Sequence, residues 1–325
     1  MLGSLRDGFR SLRFNWGLVV VVLVTNLALA LVLAVPLAFQ LEAELEHKGA
    51  ARAMMYGFDY DWWSLWSERQ QGPESALGPD LLGNGFALKN LDLLLKGWLP
   101  AGLFAPGSGK PPPVDPLVLG LGVVYLVVQA FLTGGLLAVF RRPRGGWTLR
   151  GLLHGSGFYF GRMLRLSLLA LAAAYVVFAL DAPFARLVDG LAREAVSERT
   201  ALVLTLGRYA LLLAALLLLH MVFSHARVLM VREERLSALL ATLSSLGFCL
   251  RRLGSAAGQY AVAVAAAAAL LALFTLADSW LTVVGFRTQL LALLLFEAFV
   301  AARIAIRLWL LASQLELQQE LARRP

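Results

Sequence analysis

Long apolar runs, each about as long as a membrane-spanning helix, recur along the whole chain and are separated by basic or amphipathic segments. A run of about 20 apolar residues crosses the hydrocarbon core of a bilayer as an α-helix, whereas a transmembrane barrel needs short segments of alternating polarity. The pattern therefore predicts an all-α polytopic membrane bundle of about six spans. The spans are placed at about residues 17–39, 117–140, 163–180, 201–223, 259–277 and 288–311.

The segments between the spans are amphipathic or polar. Residues 1–13 place apolar side chains at helical spacing beside arginines, which is typical of a helix lying in the membrane interface. The segment 40–115 is the only sizeable polar stretch, and it contains a tryptophan-rich helix preceded by Asp59 and Asp61 as N-cap candidates. Because tryptophan favours the membrane–water boundary, we interpret 40–115 as an outer interfacial insertion. The mixed-charge segment 181–200 is predicted to be a loop.

The distribution of arginines along the chain predicts the orientation of the spans. The chain is 59% hydrophobic and 15% charged, with a formal net charge of +8. Arginines concentrate in the N-terminal segment, in 141–165 and in 225–253, while 40–115 and 181–200 are balanced or acidic. By the positive-inside rule both termini are cytoplasmic. No basic stripe lies on a polar domain, so the excess charge does not indicate nucleic-acid binding.

A short motif recurs at three of the predicted cytoplasmic junctions. It consists of Gly-Phe, three free positions and Arg, and we call it the Gly-Phe motif. It occupies Gly8–Arg13, Gly157–Arg162 and Gly247–Arg252. We predict an elbow at each copy, where glycine allows the chain to turn from the interface into a span and Arg13, Arg162 and Arg252 reach lipid headgroups.

The spacing of the motif predicts three parallel repeats within a single membrane domain, 1–325. Each repeat has an interfacial helix, an elbow and a helical hairpin. Hairpin 1 covers residues 1–140 and carries the outer insertion 40–115, hairpin 2 covers 141–225, and hairpin 3 covers 226–325.

One stretch resembles a known group of proteins. Residues 226–260 combine an acidic–basic turn at Glu233-Glu234-Arg235, a small-residue helix at 237–245, and Arg252 with Gly254 before a span. This resembles uncharacterised bacterial polytopic membrane proteins, which are similar to the membrane domain fused to some glycerophosphodiester phosphodiesterases. The soluble catalytic domain of those enzymes has no counterpart here, so the resemblance implies a membrane module without activity. We expect a bacterial cytoplasmic (inner) membrane location.

Polar and ionisable residues inside the spans are the first candidates for function, because they are costly in a membrane. Arg208 and Glu297 lie at matching depths in spans 4 and 6 and are predicted to pair, either as a structural ion pair or as a proton- or substrate-handling pair. Arg303 and Arg307 follow in span 6. Two uncharged polar residues, Asn26 and Gln129, are candidates for helix–helix hydrogen bonds or for a functional role.

No cofactor or metal site is predicted. His220 and His225 are five residues apart and have no neighbouring acid or cysteine at ligand spacing. The pair Asp59 and Asp61 superficially resembles a metal–nucleotide site, but helix capping explains it better. Cys249 is the single cysteine, so an internal disulfide is excluded.

Three functions stay open at this point. The first is a non-catalytic integral membrane protein, a scaffold or a transport or permease-like subunit, whose partners are membrane lipids, partner membrane proteins or further copies of the chain. The second is a lipid-modifying enzyme, which requires His47, Asp59 and Asp61 to converge with a charged span residue. The third is a self-contained secondary transporter, which requires a water-accessible cavity reaching Gln129, Glu297 or Arg303 near the membrane midplane.

Overall fold

The computed structural model describes residues 1–45, 59–69, 116–142, 146–281 and 285–323. Within these ranges the chain forms nine α-helices and no β-strand, which confirms the predicted all-α fold class. In chain order the helices are α1 (Leu2–Phe14), α2 (Gly17–Leu45), α3 (Tyr60–Ser67), α4 (Pro116–Phe140), α5 (Leu149–Glu194), α6 (Glu198–Arg232), α7 (Ala238–Arg251), α8 (Leu253–Ser279) and α9 (Phe286–Arg323).

Six helices of the described ranges, α2, α4, α5, α6, α8 and α9, are long and apolar enough to cross a membrane. This agrees with the six predicted spans and identifies an integral membrane protein. The helices α5, α9 and α6 have 46, 38 and 35 residues, whereas about 20 residues cross the hydrocarbon core. These three helices therefore continue beyond the apolar layer.

The buried core lies toward the arginine-rich end of the bundle. For each spanning helix we consider its own most apolar 18-residue stretch. In α2, α5, α6, α8 and α9 only 6% to 11% of that stretch is buried, whereas in α4 the buried share is 50%. Most of the fully buried side chains instead come from the last half of α4, the first half of α5 and the last parts of α6 and α9, and include Leu137, Leu152, Met230, Leu308 and Leu315. The middle of each span, α4 excepted, is thus mainly not buried by other parts of the described chain.

Glycines bring α4 and α5 into close contact. A Cβ atom on Gly135 would overlap the carbonyl oxygen of Leu152, and one on Gly155 would lie 2.7 Å from the Cβ of Ala138. Small residues at a helix crossing let two backbones approach, which is a common device in membranes. The sequence shows Gly134 beside Gly135 within span 2, and the structure supplies the reason for this pair.

The N-terminal helix α1 packs along the last part of α9. A Cβ atom on Gly8 would lie 2.6 Å from the backbone nitrogen of Ser313. The Trp309 indole donates to the carbonyl oxygen of Leu5 at 2.8 Å. From α8, the buried Gln259 side chain donates to the carbonyl oxygen of Ser313 at 2.9 Å. The predicted N-terminal helix is therefore present, and its buried face is part of the folded core. Its position in the membrane interface stays a prediction.

Two of the three Gly-Phe motifs precede a bend. After the first copy, α1 ends at Phe14 and α2 begins at Gly17; after the third, α7 ends at Arg251 and α8 begins at Leu253. In both places a short amphipathic helix is followed directly by a span, as predicted.

The predicted elbow at the second copy is wrong. Gly157–Arg162 lies inside α5, which runs without a break from Leu149 to Glu194. One glycine in a helix interior costs only about 1 kcal/mol, which is too little to end a helix that tertiary packing supports. Gly8 and Gly247 also lie inside helices, so the interpretation of the motif glycine as the turning residue is wrong.

The three motif arginines have different surroundings. Arg13 and Arg252 are exposed beside their bends. Arg162 donates to the carbonyl oxygen of Glu234 at 3.1 Å and lies 5.1 Å from the ring of Phe158. Contact of these arginines with lipid headgroups, and the division into three repeats, stay predictions.

Glu234 follows the end of α6 and lies in the left-handed region, with φ of 53°. Arg141, just after α4, donates to its carboxylate at 2.8 Å and to the carbonyl oxygen of Val231 at 3.0 Å. The hydrogen bond from Arg141 to Glu234 raises the pKa of that guanidinium. Arg141 and Arg162 thereby hold the end of α6 against α4 and α5.

Candidate functional site

The predicted pairing of Arg208 with Glu297 is wrong, because Arg208 pairs with Asp181. The Nη2 atom of Arg208 lies 2.9 Å from Asp181 Oδ2, and the two side chains are each 13% exposed. The segment 181–200 is predicted to be a loop, but α5 includes Asp181, continues to Glu194 and turns into α6 only at residues 195–197. Pro183 lies inside α5 and does not end it.

The remaining charged candidates of span 6 lie apart from this pair. Glu297 is half-buried on α9 and makes no hydrogen bond or ion pair with any other residue of the described ranges. Arg303 is exposed, and its guanidinium lies 5.6 Å from the ring of Phe299. Neither residue has the surroundings of a binding site.

A chain of polar side chains connects three spans. Gln129 of α4 donates to Asn26 of α2 at 3.0 Å, and Arg307 of α9 donates to the Gln129 side chain at 3.3 Å. Asn26 therefore makes the predicted helix–helix hydrogen bond. At 1.5 Å per residue, Asn26 lies about 14 Å from the start of α2, and Gln129 lies about 16 Å from the end of α4. Because the hydrocarbon core is about 30 Å thick, this chain lies close to the membrane midplane.

A cavity of about 500 Å³ lies beside this polar chain, between α4, α5, α6 and α9. We call it the arginine cavity, because Arg227 and Arg307 contribute its only charged groups among the described lining residues. Its apolar wall comes from side chains of α4 and α5. The lining residues are Gly122, Tyr125, Leu126, Gln129, Ala130, Thr133, Met163, Ser167, Ala170, Leu171, Arg227 and Arg307.

The two arginines line the same cavity without an acidic partner among the described residues. Within the described ranges no carboxylate pairs with either guanidinium, and Arg227 makes no hydrogen bond to another described residue. Two like charges on one cavity wall repel each other unless an anion lies between them.

Sequence reasoning missed Arg227, Thr133 and Ser167. Arg227 lies in the arginine-rich stretch 225–253, which the sequence indicates only as a determinant of topology. If the helix of span 4 is extended into this stretch, its periodicity places Arg227 on the same face as His220 and Ser224. In the structure α6 does extend, to Arg232.

The candidate residues of the segment 40–115 are Asp59, Asp61 and His47. The Asp59 carboxylate accepts a hydrogen bond from the Trp62 amide at 3.0 Å, so it caps α3 as the capping interpretation predicts. Asp61 is exposed in the first turn of the same helix. His47 lies outside the described residues. The convergence that a lipid-modifying enzyme requires therefore stays a prediction.

The two histidines of α6 have separate partners. The ring of His220 lies 3.1 Å from the Tyr260 hydroxyl, and the ring of His225 lies 3.1 Å from the Gln318 amide nitrogen. Among the residues that the structure describes, no three His, Cys, Asp or Glu side chains form a group able to hold a metal ion. Both histidines serve the packing of α6 against α8 and α9.

In comparisons with protein-family models, with curated proteins and with solved structures, no significant match to this chain was found. The resemblance of residues 226–260 to bacterial polytopic membrane proteins therefore stays a prediction. The function has to be inferred from the arginine cavity itself.

Proposed function

We propose that this integral membrane protein is non-catalytic, that it has a transport or permease-like role, and that the arginine cavity is its working site. The observation that carries the proposal is a cavity that reaches Gln129 close to the membrane midplane. Polar groups at this depth are costly and are normally retained for a purpose. Transport proteins bind their substrates near the midplane, between helices.

The composition of the cavity supports a binding role over a catalytic one. Its described lining contains two arginines, one tyrosine and short polar side chains, but no Asp, Glu, His or Cys. General acid–base catalysis needs a group that accepts and returns a proton near neutral pH. A guanidinium holds its proton in that range, so it binds and orients anions instead.

The membrane and the orientation belong to the same proposal. We place the protein in a bacterial cytoplasmic membrane with both termini on the cytoplasmic side, because the loops rich in arginine flank the same ends of the spans. Membrane lipids are its immediate partners, since most of the apolar middle of α2, α5, α6, α8 and α9 is unburied. Reporter fusions at the two termini test this orientation.

Cysteine accessibility tests whether the cavity contains water. Cys249 is the single cysteine, so Cys249→Ser gives a background without thiols. In that background, Thr133→Cys and Ser167→Cys place a thiol in the cavity wall. Leu132→Cys is the matched control, because Leu132 and Thr133 are 6% and 5% exposed on the same helix but only Thr133 lines the cavity. Val124→Cys, on the exposed face of α4, controls for lipid exposure.

A charged, membrane-impermeant methanethiosulfonate should label the two cavity thiols well before either control thiol. Comparing right-side-out with inverted vesicles then identifies the side from which water enters. If the cavity thiols react no faster than Leu132→Cys and Val124→Cys, the cavity is dry and the transport proposal fails.

A further inference from the structure

We propose that the arginine cavity binds the phosphate of an anionic amphiphile, held between Arg227 and Arg307. This inference rests on the proposed function, since it names the class of substrate for the same site. Both guanidiniums line the cavity, and no described carboxylate neutralises either of them. Arg227 is partly shielded from solvent, and an unpaired guanidinium away from water is costly, so a bound anion would lower the free energy of the site.

The hydrogen-bonding groups match an oxygen-rich anion. Arg227 has all its N–H donors unused by other described residues, and Arg307 spends one N–H on Gln129 at 3.3 Å. A guanidinium binds phosphate or carboxylate oxygens in pairs, with charge-assisted hydrogen bonds. The hydroxyl groups of Tyr125 and Ser167 line the same cavity and add further donors. Two guanidiniums and two hydroxyls suit a phosphate in a head group without a positive charge, because the two arginines would repel the ammonium group of a zwitterionic head.

The direction in which the cavity opens favours a lipid over a soluble anion. Tyr125 and Leu171 line it and are 43% and 47% exposed, and both lie within the apolar parts of α4 and α5. An occupant can therefore enter sideways from the bilayer. The rest of the wall is apolar, with Leu126, Met163 and Leu171, and suits a hydrocarbon chain next to the charged group. Basic pockets between spanning helices are a known form of recognition for anionic lipid head groups.

The size sets a limit on what enters. A cavity of about 500 Å³ lies within the range of about 300–1,000 Å³ that is usual for small-molecule sites. It holds a phosphate with its glycerol and the first part of a chain, while the rest of the lipid stays between the spans. We therefore expect selectivity for the head-group charge and little dependence on chain length.

The test measures binding of short-chain lipids to the detergent-purified full chain. The probes are dioctanoyl phosphatidylglycerol, dioctanoyl phosphatidylcholine and inorganic phosphate, and the readout is quenching of tryptophan fluorescence or heat of binding. The variants are Arg227→Gln and Arg307→Gln. The matched control is Arg303→Gln, which removes the same charge one turn earlier on α9 from an exposed residue outside the cavity.

We expect the wild type to bind phosphatidylglycerol at least about tenfold more tightly than phosphatidylcholine. Each cavity variant should lose about tenfold or more, because a charge-assisted hydrogen bond contributes about 1.5–3 kcal/mol and 1.4 kcal/mol is tenfold. Arg303→Gln should bind like the wild type. If Arg227→Gln fails to fold, Arg307→Gln decides the question, because the Arg307 side chain is exposed and its loss should leave the core intact.

The remaining outcomes each count for or against the proposal. Equal loss in Arg303→Gln would show a general effect of surface charge and would overturn the site. Equal binding of the two lipids would overturn recognition of the anionic head. Tight, arginine-dependent binding of inorganic phosphate without any lipid preference would keep the anion site and reject the amphiphile. Labelling of Ser167→Cys from water separates these failures from failure of the transport proposal, since the cavity can be wet without binding any of the probes.

Discussion

The ion pair between Asp181 and Arg208 allows a quantitative prediction about stability. The two groups contact at 2.9 Å and are each 13% exposed, which shields them from solvent without isolating them completely. Asp181→Asn removes the negative charge and leaves the Arg208 guanidinium without a counter-charge. Breaking a buried pair in this way costs about 3–5 kcal/mol. Because the asparagine oxygen still accepts one hydrogen bond, we expect the free energy of unfolding to fall by about 2 kcal/mol.

The assay is titration of the detergent-solubilised protein with SDS, followed by tryptophan fluorescence. Glu297→Gln is the control, since Glu297 is the residue that the sequence favours as the partner. It should change the free energy of unfolding by less than about 0.5 kcal/mol. The double variant Asp181→Asn with Arg208→Gln removes both charges, so it should cost less than the sum of the single variants by about 1–2 kcal/mol. Additive costs, or a Glu297→Gln effect as large as that of Asp181→Asn, would refute this reasoning.

Other predictions concern packing and reactivity. Gly8→Ala should lower the free energy of unfolding by about 1–3 kcal/mol, because its Cβ would lie 2.6 Å from the Ser313 nitrogen. Gly157→Ala and Gly247→Ala, at the same motif position, meet nothing within 4 Å and should be neutral or stabilising by up to about 1 kcal/mol; SDS titration measures all three. Cys249 is 1% exposed and burial raises the pKa of its thiol. Maleimide should therefore modify the native protein at least about tenfold more slowly than the SDS-unfolded chain. The modification of the native protein should become faster as the pH rises from 7 to 9, because more of the thiol is then ionised. Equal rates in the native and unfolded chains would contradict this burial.

The candidate site shows how far sequence reasoning reaches. Gln129, Asn26 and Arg307 stand out in the sequence, because polar residues within apolar runs are rare and costly. Their contact with one another depends on the rotation of α2, α4 and α9 about their axes, which no local pattern specifies. Arg227 was missed for a related reason: it belongs to a stretch that also contains Arg232 and Arg235, whose charges indicate topology, and only the packing of α6 with α4, α5 and α9 places it at the cavity.

The Gly-Phe motif also shows that a local pattern does not specify the backbone path. Its first and third copies precede a bend, whereas the second lies inside the 46-residue helix α5. A helix continues through a motif of this kind where the turns on both sides of it are packed against other helices. At the second copy α5 packs against α4 and α6, with Leu152 and Met163 in the core, so the helix continues. The motif is therefore a weak predictor of the backbone path.

The sequence by itself determined that this protein is an all-α membrane bundle with six spans. This is possible because transfer of a side chain from water to hydrocarbon is a local property that adds along the chain. The tertiary structure alone decided that Arg208 pairs with Asp181 and that Arg227 joins Arg307 in one cavity. The energy of a charge depends on the groups within a few ångströms of it, and in this bundle those groups come from other helices.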